Sequence, residues 1–421
     1  MPPYRNRLLS MKKKKLSPIL AVFITVFIDM LGIGIIIPIF APLIIRNEHG
    51  MLPLDTSEPT RNIIYGILAA SFAIAQFFGA PILGTLADKK GRKKILQISI
   101  VGTFIGYICF ALAIHFQLIW LLFIARILPG FMGGNIAIVL ASLADISEPK
   151  DRAKNFGLVG MAFGMGFILG PFIGGVLAQP TDWFPWFDYS TPLWFTAGLS
   201  ALNFYYVAKQ FPDTFKPSGE GKLSLLMGFK NLKKAFALVE MRVILLTLFL
   251  QTFGFSFFMQ FFQVYLIKEF DFNQKQIGML FGYIGLWIAF TQGVVNRVVS
   301  VKFMPAQVLR ISLLWMGVAL LAILLPKEWK WLLVVHPFVA LAQGVTGPNI
   351  TSIISQLSPK ETQGEILGIQ QSVQSVSFAI PPLIAGVLVS FNSALPIVAA
   401  GVMTILAWAV FFFGFKEKQV Q

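Results

Sequence analysis

Twelve apolar stretches, each long enough to cross a lipid bilayer, follow one another along this chain. A helix needs about 20 mostly apolar residues to span the hydrocarbon core. Lipid offers the backbone no hydrogen-bond partners, so segments of this length must satisfy their own polar groups as helices. We therefore predict an all-α integral membrane protein of twelve transmembrane helices. The predicted spans are 17–40, 61–84, 95–115, 118–140, 154–178, 191–210, 242–267, 276–298, 306–325, 330–353, 365–390 and 392–414.

The composition excludes several other classes of protein. The chain is 56% hydrophobic and 13% charged, whereas soluble domains average roughly 25% charged residues. The net charge of +15 lies in short blocks between apolar stretches, so we expect a lipid bilayer and no nucleic acid as partner. One cysteine (Cys109) and three scattered histidines (His49, His115 and His336) predict no disulfide framework, no metal site and no cofactor.

Charge in the connections predicts the orientation. With both termini on the inner side, the inner segments hold 27 of the 34 Lys and Arg, the outer loops hold six, and Arg126 lies within a span. Cytoplasmic loops of membrane proteins carry an excess of Lys and Arg. We therefore predict a multi-pass protein of the cell membrane with cytoplasmic termini. The first stretch lacks a small-residue cleavage site, which predicts a retained helix rather than a signal peptide.

The two halves of the chain repeat each other. Gly130, Gly133 and Asn135 recur 214 residues later as Gly344, Gly347 and Asn349. Gly157, Pro171 and Gly175 recur 211 residues later as Gly368, Pro382 and Gly386. A period of half the chain indicates a duplicated bundle. Parallel repeats with a substrate site between them are typical of alternating-access transporters.

The longest connection divides the chain into two predicted bundles. We predict an N-terminal six-helix bundle over 1–210, a cytoplasmic central loop over 211–241 and a C-terminal six-helix bundle over 242–421. Lysines alternate with apolar residues in the loop. This pattern fits either an amphipathic helix on the inner leaflet or a tolerant linker between domains.

Asp29 is the first candidate for chemistry. It lies about eleven residues into the first span, roughly 16 Å deep at 1.5 Å per residue. A carboxylate at that depth is costly, so it usually faces a cavity or a partner and marks a proton or substrate path. The alternative is a structural carboxylate that is permanently paired.

Arg126 is the predicted partner of Asp29. It is the one Arg or Lys that we place deep within a span, and the first six helices should pack together. If the two side chains are close, protonation of Asp29 would release Arg126, or a substrate would compete for the pair. A static ion pair is the alternative.

Several motifs resemble those of the major facilitator superfamily, and most closely those of bacterial tetracycline efflux pumps. Residues 29–34 followed by Pro38 resemble the first helix of these pumps. Residues 84–94 resemble motif A, residues 126–134 resemble motif B, and residues 164–175 resemble motif C of the antiporter branch. Residues 144–157 are also similar to the tetracycline pumps. The resemblance implies two pseudo-symmetric six-helix bundles and a drug/proton antiporter.

Motif A places opposite charges beside glycines at the cytoplasmic mouth. Gly84 and Gly91 would permit a tight turn, while Asp88 could face the start of the eleventh span, where residues 358–361 read as a cap and first turn. The resemblance implies that Asp88, Arg92 and Asp145 together latch the two halves in the outward-open state. A basic loop that only sets topology is the alternative.

Motif C predicts close helix packing in the fifth span. Its glycines are three and four residues apart, and Pro171 is expected to bend the helix. The repeat partner carries Gln371, Ser375 and Ser377 instead of glycines, which predicts one helix specialised for motion and one for polar contacts. The predicted motif C residues are Gly164, Gly166, Gly170, Pro171, Gly174 and Gly175.

Aromatic and uncharged amide side chains of the second half predict a cavity for a planar, mostly hydrophobic substrate. The candidates are Gln251, Phe255, Phe258, Tyr283, Trp287, Gln371 and Gln374.

Three functions compete at this stage. The first is a monomeric, proton-coupled exporter of small hydrophobic compounds, driven by the proton gradient. The second keeps the fold but carries a lipid, nutrient or metabolite as flippase, uniporter or symporter. The third, a channel, membrane enzyme or receptor, lacks supporting motifs, and we predict no enzyme. We find no membrane-embedded carboxylate in the second half, where tetracycline pumps have acidic candidates, so the exact substrate stays open.

Overall fold

The computed structural model describes residues 18–47, 50–146, 152–211, 227–238, 241–358 and 363–415. The first half contains the helices α1 (Pro18–Ile45), α2 (Glu58–Lys90), α3 (Arg92–His115), α4 (Ile119–Met132), α5 (Asn135–Ile146), α6 (Arg152–Leu177) and α7 (Thr191–Gln210). A connecting helix follows, α8 (Met227–Ala237). The second half contains α9 (Arg242–Phe270), α10 (Gln274–Phe290), α11 (Asn296–Lys302), α12 (Pro305–Ala322), α13 (Leu332–Leu357), α14 (Gln363–Ala379), α15 (Pro381–Phe391) and α16 (Leu395–Gly414).

Each of the twelve predicted spans coincides with one helix or with two helices in series, which confirms the predicted fold class. Nine segments of the described chain are helical, long and apolar enough to cross a membrane, and shorter apolar helices cover 119–132 and 164–177. One local prediction is wrong. Because α2 continues to Lys90, Gly84 lies inside a helix, and the turn is made at Gly91, whose φ of +94° suits glycine.

Three spans are interrupted, each for a local reason. A turn at Gly133 separates α4 from α5. Between α10 and α11 the chain forms a π-helical turn over Thr291–Val295. Near Ile380 the tandem prolines 381 and 382 end α14 and start α15, since proline cannot donate the backbone hydrogen bond that would continue the helix. In α6, by contrast, the helix continues through Pro171.

The ends of the helices define two faces of the bundle. We call the face where α1 begins and α16 ends the terminal face; it also carries the turn at Gly91. The opposite face, which carries the connections at residues 46–57, 178–190 and 271–273, is the distal face. Within the first half α1 packs on α6 and α3 on α4, and within the second half α9 packs on α16 and α12 on α13.

The two halves meet along two equivalent helix crossings, α6 on α10 and α2 on α15. In the first crossing, a Cβ on Gly278 would lie 2.5 Å from the carbonyl oxygen of Pro171 and 3.0 Å from Cα of Gly175. In the second, a Cβ on Gly66 would collide with the carbonyl oxygen of Pro382. Such close approach is possible because glycine has no side chain.

Apolar cores distinguish the two faces. One large cluster of buried side chains joins both halves at the distal face, with Phe40 and Leu43 from α1 beside Phe261 and Phe262 from α9. Toward the terminal face the buried residues divide into a separate cluster in each half. The buried apolar core is therefore continuous between the halves distally and divided near the terminal face.

Two ion pairs also join the halves at the distal face. Arg46 after α1 lies 2.5 Å from Asp271 after α9, and it donates a second hydrogen bond of 3.0 Å to the carbonyl of Phe272. Glu58 at the start of α2 lies 2.5 Å from Lys268 near the end of α9. Together with the glycine crossings, these contacts close the distal face.

Candidate functional site

Asp29 is held by a hydrogen bond inside the first half. The amide Nδ2 of Asn135 donates to Oδ2 of Asp29 at 2.7 Å. Asn135 is the first residue of α5, directly after the break at Gly133, and only 2% of its surface is exposed. The break between α4 and α5 therefore places a neutral donor where the carboxylate needs one.

A narrow cleft surrounds the carboxylate. Its walls come from α1 to α5, and its volume of about 20 Å³ is enough for roughly one water molecule. Tyr107 of α3 lines the same cleft. Phe72 of α2 forms another wall.

Arg126 lies between two aromatic rings rather than beside a carboxylate. Its guanidinium carbon is 4.8 Å from the ring centroid of Phe40 and 4.8 Å from that of Phe72. Its Nε donates a long hydrogen bond of 3.4 Å to the carbonyl of Leu68. Rings on both faces stabilise a cation through their negative π faces. Gly130 of motif B makes this possible, since it lets α4 approach the backbone of Phe72.

The predicted ion pair between Asp29 and Arg126 is not formed among the described residues. Asp29 accepts from Asn135, and Arg126 contacts the two rings and the Leu68 carbonyl. The two groups nevertheless share Phe72, whose ring contacts Arg126 and lines the Asp29 cleft. In this conformation the helices bring Asp29 and Arg126 into one region without pairing their charges.

Sequence reasoning missed Tyr65, which connects this region to the second half. Its hydroxyl donates to the carbonyl of Gln260 at 2.6 Å and accepts from Nε2 of Gln263 at 2.7 Å. Its ring lies 5.1 Å from that of Phe40 and 5.1 Å from that of Phe261. A tyrosine within an apolar span gives only a weak signal in the sequence, since a lipid-facing tyrosine would look the same.

Motif A lies at the terminal face beside α14. Gly84, Asp88 and Arg92 line a cavity of about 380 Å³ between the halves, and Gln371 of α14 lines the same cavity. Arg92 is buried and Asp88 is exposed. The side chain of Asp145 and residues 359–361 of the predicted helix cap lie outside the described part of the structure, so the predicted latch stays a prediction.

The connecting helix α8 closes one side of this cavity. Asn231 donates to the hydroxyl of Ser372 on α14 at 3.0 Å. On the other side, Gly228 packs against the ring of Phe77 on α2. Helix α8 therefore touches both halves near the terminal face.

The motif C residues divide between two partners. Gly166, Gly170 and Gly174 face α1, where a Cβ on Gly170 would lie 2.7 Å from Cα of Gly34. Gly175 faces the second half, where a Cβ would lie 2.8 Å from the carbonyl of Gln274. Helix α6 is thus wedged between its own half and the opposite one. Gly164 is different, since the nearest atom lies 4.0 Å away.

The predicted substrate residues are not brought together. Gln371 lines the cavity between the halves and is exposed. Phe255 and Phe258 are buried within the second half, and Nε2 of Gln251 donates to Oε1 of Gln343 at 3.1 Å.

The remaining three lie apart from that cavity as it is formed here. Tyr283 donates to the carbonyl of Leu333 at 2.8 Å and its ring lies 6.4 Å from that of Trp287, while Gln374 is half-buried. A pattern of residue types did not distinguish side chains that fill the core from those that face the space between the halves.

Two repeated helical halves in a membrane share an apolar core at the distal face, enclose a cavity between them toward the terminal face and bury a carboxylate inside the first half. This architecture is typical of a membrane transporter. The profile of the Major Facilitator Superfamily matches residues 22–305 and 244–420. The chain belongs to this superfamily.

Known relatives include drug resistance proteins. The chain is 29% identical over 383 residues to the tetracycline resistance protein, class H, of Pasteurella multocida, covering 90% of each chain. It is 29% identical over 385 residues to the quinolone resistance protein NorA of Staphylococcus aureus, covering 91% of this chain and 92% of that one. The crystal structure of the human organic anion transporter MFSD10 (TETRAN) superposes with a TM-score of 0.74 at 20% identity, covering 93% of this chain and 98% of that one.

Proposed function

We propose that this transporter exports small hydrophobic compounds in exchange for protons by alternating access. The observation that carries the proposal is the Asp29 site: a carboxylate deep in the first half, held by one neutral donor in a cleft with room for roughly one water molecule. Arg126 contacts the ring of Phe72, which lines the same cleft. A titratable carboxylate with access to water is what a proton carrier requires.

The orientation follows from charge. Lys and Arg are concentrated at the terminal face, so we assign that face to the cytoplasm by the positive-inside rule. The distal face, closed by its ion pairs and glycine crossings, is then external. The cavity of about 380 Å³ between the halves then lies toward the cytoplasmic side, where an exporter collects its substrate.

The exchange uses the two charged groups in sequence. When Asp29 loses its proton to the cytoplasm, the bond from Asn135 stabilises the carboxylate, and the negative charge attracts Arg126 from between its rings. Substrate binding and rocking of the halves along the glycine crossings would then expose Asp29 to the outside. There protonation of Asp29 releases Arg126 again. The proton gradient supplies the free energy.

The proposed substrate class comes from two sources. Two relatives are a tetracycline resistance protein and a quinolone resistance protein, and we propose that this chain transports compounds of that kind. The cavity between the halves is lined by the ring of Phe77 and by the uncharged amides of Asn231 and Gln371, which suit a planar, mostly apolar compound. We therefore propose drug-like aromatic compounds rather than sugars or lipids.

Proton-coupled export is tested in proteoliposomes loaded with a pH dye. Tetracycline and a fluoroquinolone are added against an imposed proton gradient, and wild type is compared with Asp29→Asn. Asp182→Asn, an exposed loop carboxylate, is the matched control. We expect drug-dependent proton movement in wild type and in Asp182→Asn but not in Asp29→Asn. Proton movement unchanged in Asp29→Asn would place coupling elsewhere, and none in wild type would reject antiport of these drugs.

A second candidate is transport of organic anions. It is favoured by the environment of Arg126, which among the described residues contacts rings and a carbonyl but no carboxylate. A cation in this state is available to bind a substrate carboxylate. Uptake of an aromatic carboxylate that Arg126→Lys reduces and Asp29→Asn spares would select this function over drug/proton exchange.

A further inference from the structure

A continuous set of contacts leads from Arg126 to the second half of the protein. The guanidinium lies on the ring of Phe40 at 4.8 Å, and that ring lies 5.1 Å from the ring of Tyr65. Tyr65 is 1% exposed, so the contact is fully within the protein. One aromatic residue of α1 thus touches both Arg126 on α4 and Tyr65 on α2.

Arg126 also contacts α2 directly, one turn away from Tyr65. Its Nε donates to the carbonyl of Leu68, and residues three apart on a helix lie on the same side. If Arg126 left its place between the rings, α2 would lose a hydrogen bond and Phe40 would lose its cation at the same level of the bundle. Tyr65 would be affected by both changes, because its ring contacts Phe40 and it lies one turn from Leu68 on α2.

Tyr65 carries these changes across the boundary between the halves. Its hydroxyl exchanges hydrogen bonds with two groups of α9, donating to Gln260 and accepting from Gln263. Its ring packs edge-on against Phe261 of the same helix. These contacts lie in the distal part of the boundary, which the ion pairs Glu58–Lys268 and Arg46–Asp271 also close.

The side-chain amide of Gln263 has a hydrogen-bond partner for its nitrogen but not for its oxygen among the described residues. Gln263 is 3% exposed, and its Oε1 is buried without a hydrogen-bond partner among the described residues. A buried acceptor without a partner raises the free energy of the state that contains it. If the halves separated at the distal face, water could bond to this oxygen, and that bond would offset part of the free energy lost when the Tyr65–Gln263 hydrogen bond breaks. A contact of this kind suits a boundary that opens and closes reversibly.

We propose that Tyr65 is the positioning residue that couples the charge state of the Asp29 and Arg126 region to the closure of the distal boundary. The inference rests on the proposed role of Asp29 in proton coupling. The charged and titratable groups of this region are Asp29 on α1, Tyr107 on α3 and Arg126 on α4. With Asp29 neutral, Arg126 stays between its rings and Tyr65 stays bonded to α9. With Asp29 ionised, Arg126 is drawn away and the Tyr65 contact weakens.

The test is a double-mutant cycle, because contiguous contacts alone do not demonstrate coupling. Spin labels are attached at Asp55→Cys and Lys327→Cys, exposed distal positions in opposite halves, in a Cys109→Ser background. The ratio of open to closed distal distances is measured at alkaline pH. We expect Asp29→Asn to lower this ratio by about fivefold or more, the lower range of allosteric couplings, and by less than about twofold in a Tyr65→Phe background.

Tyr65→Phe keeps the ring and removes both hydrogen bonds, so it tests coupling rather than packing. Gln263→Leu removes one of the two hydrogen bonds of the Tyr65 hydroxyl and leaves the bond to the Gln260 carbonyl, so it should weaken the response. Tyr205→Phe, an exposed tyrosine on α7, should leave the response intact. An equal response to Asp29→Asn with and without the Tyr65 hydroxyl would overturn the proposal, and so would no response in either background.

A transport measurement separates this inference from the proposed function. The number of protons moved per tetracycline is determined in proteoliposomes for wild type and Tyr65→Phe. A lower ratio in Tyr65→Phe, with substrate still transported, supports Tyr65 as the coupling residue. An unchanged ratio rejects Tyr65 while leaving antiport intact. If wild type moves no protons with tetracycline, the proposed function fails, and the distance cycle still decides whether Tyr65 links the two regions.

Discussion

Asn135 and Asn349 occupy equivalent positions in the two halves, 214 residues apart, yet they bond to different groups. Asn135 donates to the carboxylate of Asp29 at 2.7 Å. Asn349 donates to the carbonyl of Val345 at 2.7 Å and to the amide oxygen of Asn296 at 3.3 Å. Duplication thus preserved a buried amide in both halves, but only in the first half does that amide face a group that titrates.

The same comparison holds nine residues before each asparagine. Arg126 of the first half corresponds, at the same spacing, to Ala340 of the second half. The glycines that follow are kept, since Gly130 packs on Phe72 and Gly344 packs on Thr291. The packing of the ancestral bundle is therefore shared, and the charges are specific to the first half. We infer that the first half carries the proton chemistry and the second half provides a neutral partner.

The largest effect is expected from making the first half resemble the second, with Arg126→Ala. Cation–π contacts of a desolvated cation contribute about 2 kcal/mol or more, equivalent to roughly 30-fold, so we expect drug transport to fall by at least that factor while membrane insertion continues. Transport per molecule in proteoliposomes measures this, with Arg297→Ala, an exposed arginine of the second half, as control. Normal transport at normal protein levels would remove Arg126 from the mechanism.

The two asparagines provide the next test. Hydrogen bonds to charged groups contribute about 1.5–3 kcal/mol and neutral ones about 1 kcal/mol. We therefore expect Asn135→Leu to slow proton-coupled transport by roughly 10-fold or more, and Asn349→Leu by only a few-fold. Initial rates of dye-reported proton movement compare the variants. Equal losses in both would mean that the halves share the proton chemistry, contrary to our comparison.

The glycine crossings should behave alike in the two halves, in contrast to the charges. Gly66→Ala and Gly278→Ala each place a Cβ against the backbone of the opposite half, and overpacking costs about 1–3 kcal/mol. We expect similar decreases in thermal stability in detergent and in the population closed at the distal face. Gly198→Ala, which meets no atom within 4 Å, is the control. A large effect in one crossing alone would show that the boundary is not symmetric.

The smallest effect is expected at the distal ion pairs. Exposed salt bridges contribute about 0–1 kcal/mol, and Asp271 is largely exposed. Arg46→Gln should therefore lower the melting temperature slightly at low salt, and the difference should vanish at high salt, because salt screens exposed charges. A large, salt-independent loss would mean that this pair, rather than the buried contacts, closes the distal face.

Much of the fold was predictable because membrane insertion imposes it locally. The spans needed only length and apolarity, and the turn at Gly91 needed only a glycine between charged residues. Boundaries were less certain, as the extension of α2 past Gly84 shows, because a helix can project beyond the bilayer with polar residues in its last turns. Half of the candidate site was also predictable: Asp29 and Arg126 stand out as charges in apolar surroundings.

The rest of the site depended on contacts between helices. Whether Asp29 meets Arg126 or Asn135 is decided by the break at Gly133 and by how closely α4 approaches α2. Tyr65 and Gln263 are polar residues in separate spans, 198 positions apart, and no local pattern links them. The predicted cavity residues were dispersed for the same reason, since helical periodicity does not tell which neighbour a face meets.

By itself, the sequence determined that this chain is a duplicated helical membrane transporter with one deep carboxylate and one deep cation in its first half. Those properties follow from the cost of polar groups in lipid, which acts on each segment independently. Only the tertiary structure decided which face is closed, that Arg126 lies between rings instead of on Asp29, and that Tyr65 joins the halves. Those depend on the distances between helices, which are set by the combined packing of glycines and aromatic side chains from both halves.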